Sequence, residues 1–295
     1  HNLGGFRFEE IGHESGIAGN ASGTYQAGMG VACGDLDGDG RLDLAVTNFY
    51  NESTTFFRNL GQGIFADQTS AVGLAVPTRY MLGFGIAFFD ANNDGRLDLI
   101  IANGHVHDGT PQFPWQMPVQ LFLGDARGKL TDVSNQAGPP FGVLRMGRGL
   151  AVGDLDNDGR SDVLVISQNE PMAFFHNRTD GGHFLTLRLE GTASNRDAVG
   201  AGLSLKCGSR VQVATCLGGG SYQSASDPRM CLGLGKSRQI DWVDVRWPSG
   251  RQERFTNLEA DNGYHLREGD ATARPLSGWK PNKTRQRDEG TSENP

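Results

Sequence analysis

No apolar run in this chain approaches the ~20 residues that a membrane-spanning helix needs, so no membrane insertion is expected. Cysteine is scarce: four residues, with no C-x-x-C pair, which excludes a zinc-ribbon spacing and a dense disulfide scaffold. There is no basic surplus. Lys and Arg number 27 against 34 Asp and Glu, a net charge of −7, which disfavours nucleic acid as a partner. The chain starts at His1 with neither Met nor a signal peptide, and reads as a processed or truncated product. Glycine is what abounds, with 43 residues, and it points to many turns.

One nine-residue pattern is written three times. Asp35, Asp37, Asp39 and Asp43 hold positions 1, 3, 5 and 9 of the first copy; Asp90, Asn92, Asp94 and Asp98 those of the second; Asp154, Asp156, Asp158 and Asp162 those of the third. Position 6 is always glycine and position 7 always arginine (Arg41, Arg96, Arg160). Ca2+ takes about six to eight oxygen ligands, and alternating Asp/Asn on a tight loop brings several to one point. Glycine at position 6 lets the backbone turn sharply, aiming the position-7 carbonyl at the ion and leaving the arginine side chain pointing away. Position 12 is Val46, Ile101 or Val165, so the bidentate Glu of an EF-hand is missing and the position-9 carboxylate takes its place. The flanks are short, apolar and β-branched, hence strands. A single Asx-rich turn is ordinary, but three matched copies are not. Asn92 leaves the second loop less charged and its site the weakest. Three bound Ca2+ would take the charge from −7 to about −1.

The loops belong to larger repeats. Residues 4–18 have a counterpart at 61–75 and a weaker one at 124–138. Asp35 and Asp90 are 55 residues apart, Asp90 and Asp154 64 apart, and a His/Pro-rich insertion at 104–118 absorbs the difference. Periods of this size with several short strands indicate a propeller-like array whose units stack to bury their faces. Within the insertion, His105, His107 and Asp108 offer a transition-metal trio; the plainer expectation is a polar rim loop available for partner contact.

The repeats resemble FG-GAP/VCBS repeats across about residues 4–178, on the strength of the three D-x-[DN]-x-D-G-x-x-D loops. That resemblance implies calcium-bearing β-propeller blades. Such propellers commonly have seven blades, so three loops and an unmatched N-terminal tail imply a partial or truncated propeller.

Residues 179–269 differ. Read alone they form an all-β unit of about seven short strands, a small sandwich with Trp247 in its core. Asn195, Arg196 and Asp197 brace a turn, and Gly218–Ser221 is a flexible loop without the Lys of a P-loop. The elements Ser194-Asn-Arg-Asp-Ala-Val-Gly-Ala201, Gly218-Gly-Gly-Ser-Tyr222 and Trp247-Pro-Ser-Gly250 resemble the ASPIC/UnbV domain. Repeats followed by this domain resemble the CRTAC, cartilage acidic protein-like, family, which implies a secreted and often adhesive protein. Cys33 reads as a buried thiol, and one disulfide among Cys207, Cys216 and Cys231 has three pairings open. Residues 270–295 read as a disordered polar tail.

The fold class expected is all-β: propeller blades followed by a small sandwich-like domain. The function expected is a calcium-binding, secreted, extracellular or periplasmic scaffold that presents loops to a protein or glycan partner. The alternative is an enzyme, a hydrolase or a cyclising enzyme of secondary metabolism, with a pocket at the propeller mouth or the ASPIC interface. No catalytic residue is nominated, because no nucleophile elbow, H-E-x-x-H or paired Ser/His motif occurs. Oligomeric state is left open.

Overall fold

The structure, a computed structural model, describes residues 1–279. Its described residues are almost wholly strands and turns, with helices of no more than four residues. A hairpin of β1 (Asn2–Gly4) and β2 (Arg7–Phe8) opens the chain. It matches the ends of the later repeats, as the internal similarity predicts. Three antiparallel meanders follow. The first is β3 (Val31–Gly34), β4 (Asp43–Val46), β5 (Thr55–Gly61) and β6 (Ile64–Asp67); the second is β7 (Gly83–Phe89), β8 (Asp98–Asn103), β9 (Gln120–Gly124) and β10 (Leu130–Asp132). The third is β11 (Gly147–Gly153), β12 (Asp162–Ser167) and β13 (Ala173–Phe175).

These sheets stack as blades. The first strands lie side by side, β7 between β3 and β11. Strand β8 shows why its sequence is apolar without alternation: Leu99 and Ile101 pack with Phe56 and Phe122 toward the first blade, while Ile100 and Ala102 pack with Leu150 and Val165 toward the third. Both faces are covered, so every position is buried. Close approach of the first strands requires glycine. A Cβ on Gly30 would lie 2.0 Å from the carbonyl oxygen of Phe84.

The C-terminal half adds two four-stranded sheets. One has the order β17 (Met230–Gly235), β14 (His183–Glu190), β20 (Asn262–Arg267), β21 (Arg274–Pro275); the other β16 (Arg210–Thr215), β15 (Gly202–Cys207), β18 (Trp242–Arg246), β19 (Gln252–Phe255). Strands β14 and β20 run parallel. Both sheets contribute to one core, with Leu185, Leu187, Leu203, Val243, Trp247 and Leu266 among its members, which is the expected sandwich. Altogether five sheets of three or four strands make up the described fold, beside the N-terminal hairpin. None of its helices is long and apolar enough to cross a membrane.

Several expectations need correction. The polar tail does not begin at 270: Arg274 and Pro275 pair with β20, the Leu276 N–H donates to the Gly263 carbonyl at 2.9 Å, and the Trp279 ring lies 5.8 Å from Phe184. The Trp279 ring provides apolar surface that helps hold this stretch. The remainder of that expected tail, 280–295, lies outside the described residues. All four cysteines are free, including Cys207, Cys216 and Cys231, and Cys33 is half-buried rather than buried.

Candidate functional site

The three acidic loops join the first and second strands of successive blades, between β3 and β4, β7 and β8, and β11 and β12. They fold alike. The carboxylate of position 1 accepts the backbone N–H groups of positions 5 and 6: Asp35 from Asp39 and Gly40, Asp90 from Asp94 and Gly95, Asp154 from Asp158 and Gly159. The position-6 glycines have φ of 89°, 81° and 82°, the left-handed turn expected of them. Position 4 is left-handed too, and there the chain uses Gly38, Asn93 and Asn157.

Position 9 ties each loop to its blade. Asp43 accepts N–H groups of Leu36 and Asn59, Asp98 those of Ala91 and Gly124, and Asp162 those of Leu155 and Asn177, at 2.8–3.2 Å. These three carboxylates are essentially buried. Each oxygen retains acceptor capacity beyond one N–H.

The arginine side chain departs from expectation. Instead of pointing away, Arg41, Arg96 and Arg160 pair with the position-5 carboxylates of Asp39, Asp94 and Asp158. Their Nε atoms donate to the carbonyls of Asn59 and Gly124 on the third strand of the same blade, and of Asn177 just past the end of β13. The tight turn brings the position-7 Cα beside position 5, so the guanidinium meets the nearest carboxylate.

Burial sets the electrostatics. It lifts the carboxyls of Asp90 and Asp98 to about 7 and that of Asp154 to about 6, against the lowering effect of their backbone hydrogen bonds. Asp35, Asp43 and Asp158 are raised for the same first cause. Clustered, partly desolvated carboxylates of this kind favour a cation. The donor chemistry fits a hard divalent ion. In loop 1, carboxylate oxygens of Asp35, Asp37 and Asp39 lie within 4.8 Å of one another, and in loop 3 Asp156 and Asp158 converge with His176 at the same spacing. Loop 2 offers Asp90, Asp94 and the amide oxygen of Asn92, with Asp98 beneath.

The insertion trio does not assemble as a ligand set. His105 is buried, its Nδ1 lies 3.0 Å from the His107 carbonyl oxygen and its ring stacks on Phe113 at 4.1 Å, whereas Asp108 accepts a bond from the Thr110 N–H. The expected polar rim loop is rooted in an aromatic cluster with Tyr50 and Phe49.

Comparison with known proteins agrees with this architecture. A model of the FG-GAP-like repeat matches residues 35–101, one of the FG-GAP repeat matches 146–183, and one of "ASPIC and UnbV" matches 191–273. The chain carries FG-GAP repeats followed by an ASPIC/UnbV domain. Cartilage acidic protein 1 from Homo sapiens is 25% identical over 82% of this chain and 43% of the relative; the Xenopus tropicalis protein is 29% identical over 60% and 26%, and the Mus musculus protein 28% over 52% and 21%. The chain thus spans less than half the length of these curated relatives. A solved structure of an Agrocybe aegerita lectin that recognises non-reducing terminal N-acetylglucosamine aligns with 50% of this chain and 49% of its own at 18% identity, but its TM-score of 0.21 carries no argument.

The ASPIC/UnbV domain covers loops 2 and 3, a relation that sequence reasoning missed. Arg210 donates to the Asp94 carbonyl at 2.7 Å, and the Gly235 N–H donates to the Asn93 carbonyl at 2.8 Å, closing over loop 2. Arg229, held by Asp227, donates to the Asp154 carbonyl and the Asn157 side chain of loop 3. The Gly218–Ser221 region is no free loop. It leads into a segment crossing the first strands of all three blades. Ser221 donates its N–H to Val31 and accepts from the Ile86 N–H; Ser224 accepts from Leu150 and Ser226 from Val152. Tyr222 packs on Phe84 at 4.9 Å. The only trace of this in the sequence is the polar spacing Ser221, Ser224, Ser226.

The distinctive ASPIC/UnbV elements meet inside their own domain. Glu268, 1% exposed, accepts the N–H groups of Thr192, Ala193 and Ser194 and the hydroxyls of Ser194 and Ser249. Asn195 braces the turn to Val199 through both side-chain ends, as expected. Trp247 is in the core and donates to Glu253.

Proposed function

We propose that the protein is a calcium-braced extracellular or periplasmic scaffold, secreted, that presents loops to a protein or glycan partner. The observation that carries this is the threefold loop: the same oxygen set, pinned by the same position-9 carboxylate, on three adjacent blades, with two copies covered by the ASPIC/UnbV domain. Calcium would be held by Asp35, Asp37, Asp39, the Arg41 carbonyl and Asp43 in loop 1. Asp90, Asn92, Asp94, the Arg96 carbonyl and Asp98 would hold it in loop 2, and Asp154, Asp156, Asp158, the Arg160 carbonyl and Asp162 in loop 3. The ion supplies positive charge that lets buried carboxylates ionise together and so fixes each loop on its blade. Ion at 100 times Kd would add about 2.7 kcal/mol per site. We keep the division into a propeller segment at 1–178 and an ASPIC/UnbV-like domain from 179, whose end moves from the expected 269 to include β21. Capture of partners from an extracellular matrix or cell-surface extract, with and without EDTA, tests the role; calcium-independent capture would argue against it.

A second reading, an enzyme, rests on one observation. A cleft between loop 1, loop 2 and β16 holds Asp90, whose raised carboxyl is of the kind used in acid–base chemistry. The same carboxylate is position 1 of loop 2, which the calcium reading already uses. Hydrolysis of ester or glycoside probes that vanished in Asp90→Asn and persisted in EDTA would favour the enzyme.

A further inference from the structure

The three loops differ in the residue that stands at or just past the end of the third strand of the blade, immediately before the one that position 9 holds. The residue pinned by position 9 is Asn59, Gly124 or Asn177, and the residue just before it is Arg58, Leu123 or His176. Arg58 pairs with Asp37 at 3.1 Å, so position 3 of loop 1 faces a permanent cation that offers no lone pair. In loop 2 position 3 is the neutral Asn92, and the matching residue is Leu123, which packs against the core and can ligate nothing. His176 stands 3.3 Å from Asp156 and, with Asp158, completes a set of nitrogen and oxygen atoms all within 4.8 Å. That pair is wider than the ~2.7–2.9 Å of a charge-assisted hydrogen bond. The imidazole is steadied from the side by Phe174, whose ring lies parallel to it within 9° at 5.7 Å. Imidazole suits Zn2+, Co2+ and their neighbours, whereas Ca2+ takes oxygen.

We propose that loop 3 is a mixed nitrogen–oxygen site that takes a borderline divalent transition ion through His176, Asp156 and Asp158, while loops 1 and 2 are confined to hard ions. The proposal deepens the reading of these loops as ion sites and rests on it. It assigns His176, which no loop motif includes, as a ligand that widens the range of metals accepted at one of three otherwise matched sites. Arg160 keeps its contact with one oxygen of Asp158, and the carboxylate retains lone pairs for a metal.

The test is a Co2+ titration of the full chain followed by visible absorption, with Zn2+ as displacing ion and Ca2+ calorimetry on the same preparations. The variants are His176→Ala and His176→Arg, the latter copying loop 1. His176 is partly exposed, so both should fold. The parent chain is expected to bind Co2+ with Zn2+-displaceable bands, and both variants to bind it at least about tenfold more weakly with calcium uptake kept. Identical Co2+ isotherms in parent and variants overturn the proposal while leaving calcium uptake intact. His176-dependent Co2+ binding without any calcium uptake supports it and sinks the calcium reading instead. Absence of both sinks both.

Discussion

Replacing Glu268 with glutamine keeps the shape of a buried side chain and removes its charge. Burial alone would raise this carboxyl. The Ser249 hydroxyl and the N–H groups of Ser194, Thr192 and Ala193 outweigh that and hold it at about 2, against an ordinary 4.5. The difference corresponds to about 3 kcal/mol of stability at neutral pH. The sign follows from proton binding: the unfolded chain holds the proton more tightly, so the contribution is complete above about 4.5 and is lost as pH falls toward 2. Glutamine keeps an acceptor oxygen but turns an N–H2 toward donors, so Glu268→Gln should cost about 3 kcal/mol at pH 7. Urea unfolding of parent and variant, followed by tryptophan fluorescence, measures this. The gap between the two curves should close as pH is lowered from about 4.5 to about 2. Equal stability at neutral pH, or a gap that persists unchanged to pH 2, would refute the reasoning.

Other outcomes follow from the same contacts. Asp98→Ala leaves the buried N–H of Ala91 and that of Gly124 without their acceptor and should destabilise by about 2–4 kcal/mol even in EDTA. Asp37→Ala removes a partly exposed ion pair with Arg58 and should leave chelated stability within about 1 kcal/mol while weakening calcium uptake, read by paired melts and titrations. Arg229→Ala strips the buried Asp154 carbonyl of its donor, costs about 2–3 kcal/mol and should open the chain to limited proteolysis between the blades and the ASPIC/UnbV domain. The triple change of Ser221, Ser224 and Ser226 to alanine should lower stability by about 1 kcal/mol per lost hydroxyl acceptor and speed amide exchange at Ile86, Leu150 and Val152.

Much of this was legible in the chain. The Asp spacing and the position-6 glycines identified the loops because a backbone turn needing positive φ constrains a few adjacent residues. Blade strands were readable from apolar β-branched runs. The direction of Arg41, Arg96 and Arg160 was not, because it depends on which carboxylate the folded turn brings nearest. Nor was the cover over loops 2 and 3. Contacts such as Ser221 to Ile86 join residues 135 positions apart, and neither partner carries a periodic signal of the other. His176 was missed because it lies outside the loop motif and enters from the chain just past the end of β13. In the insertion, histidine and proline suggested a solvent-facing loop, while Phe113 was the residue that anchored it. At 270–279 the polar composition pointed to a free tail, whereas strand pairing with β20 and the Trp279 ring beside Phe184 dock it.

Calcium calorimetry on the chelated full chain, with melting curves at each addition, tests the central claim most directly. Saturable uptake approaching three Ca2+ per chain is expected, weakest at the loop that carries Asn92, with the melting temperature rising along the same isotherm. A flat titration, with melting unchanged between EDTA and excess calcium, would contradict it.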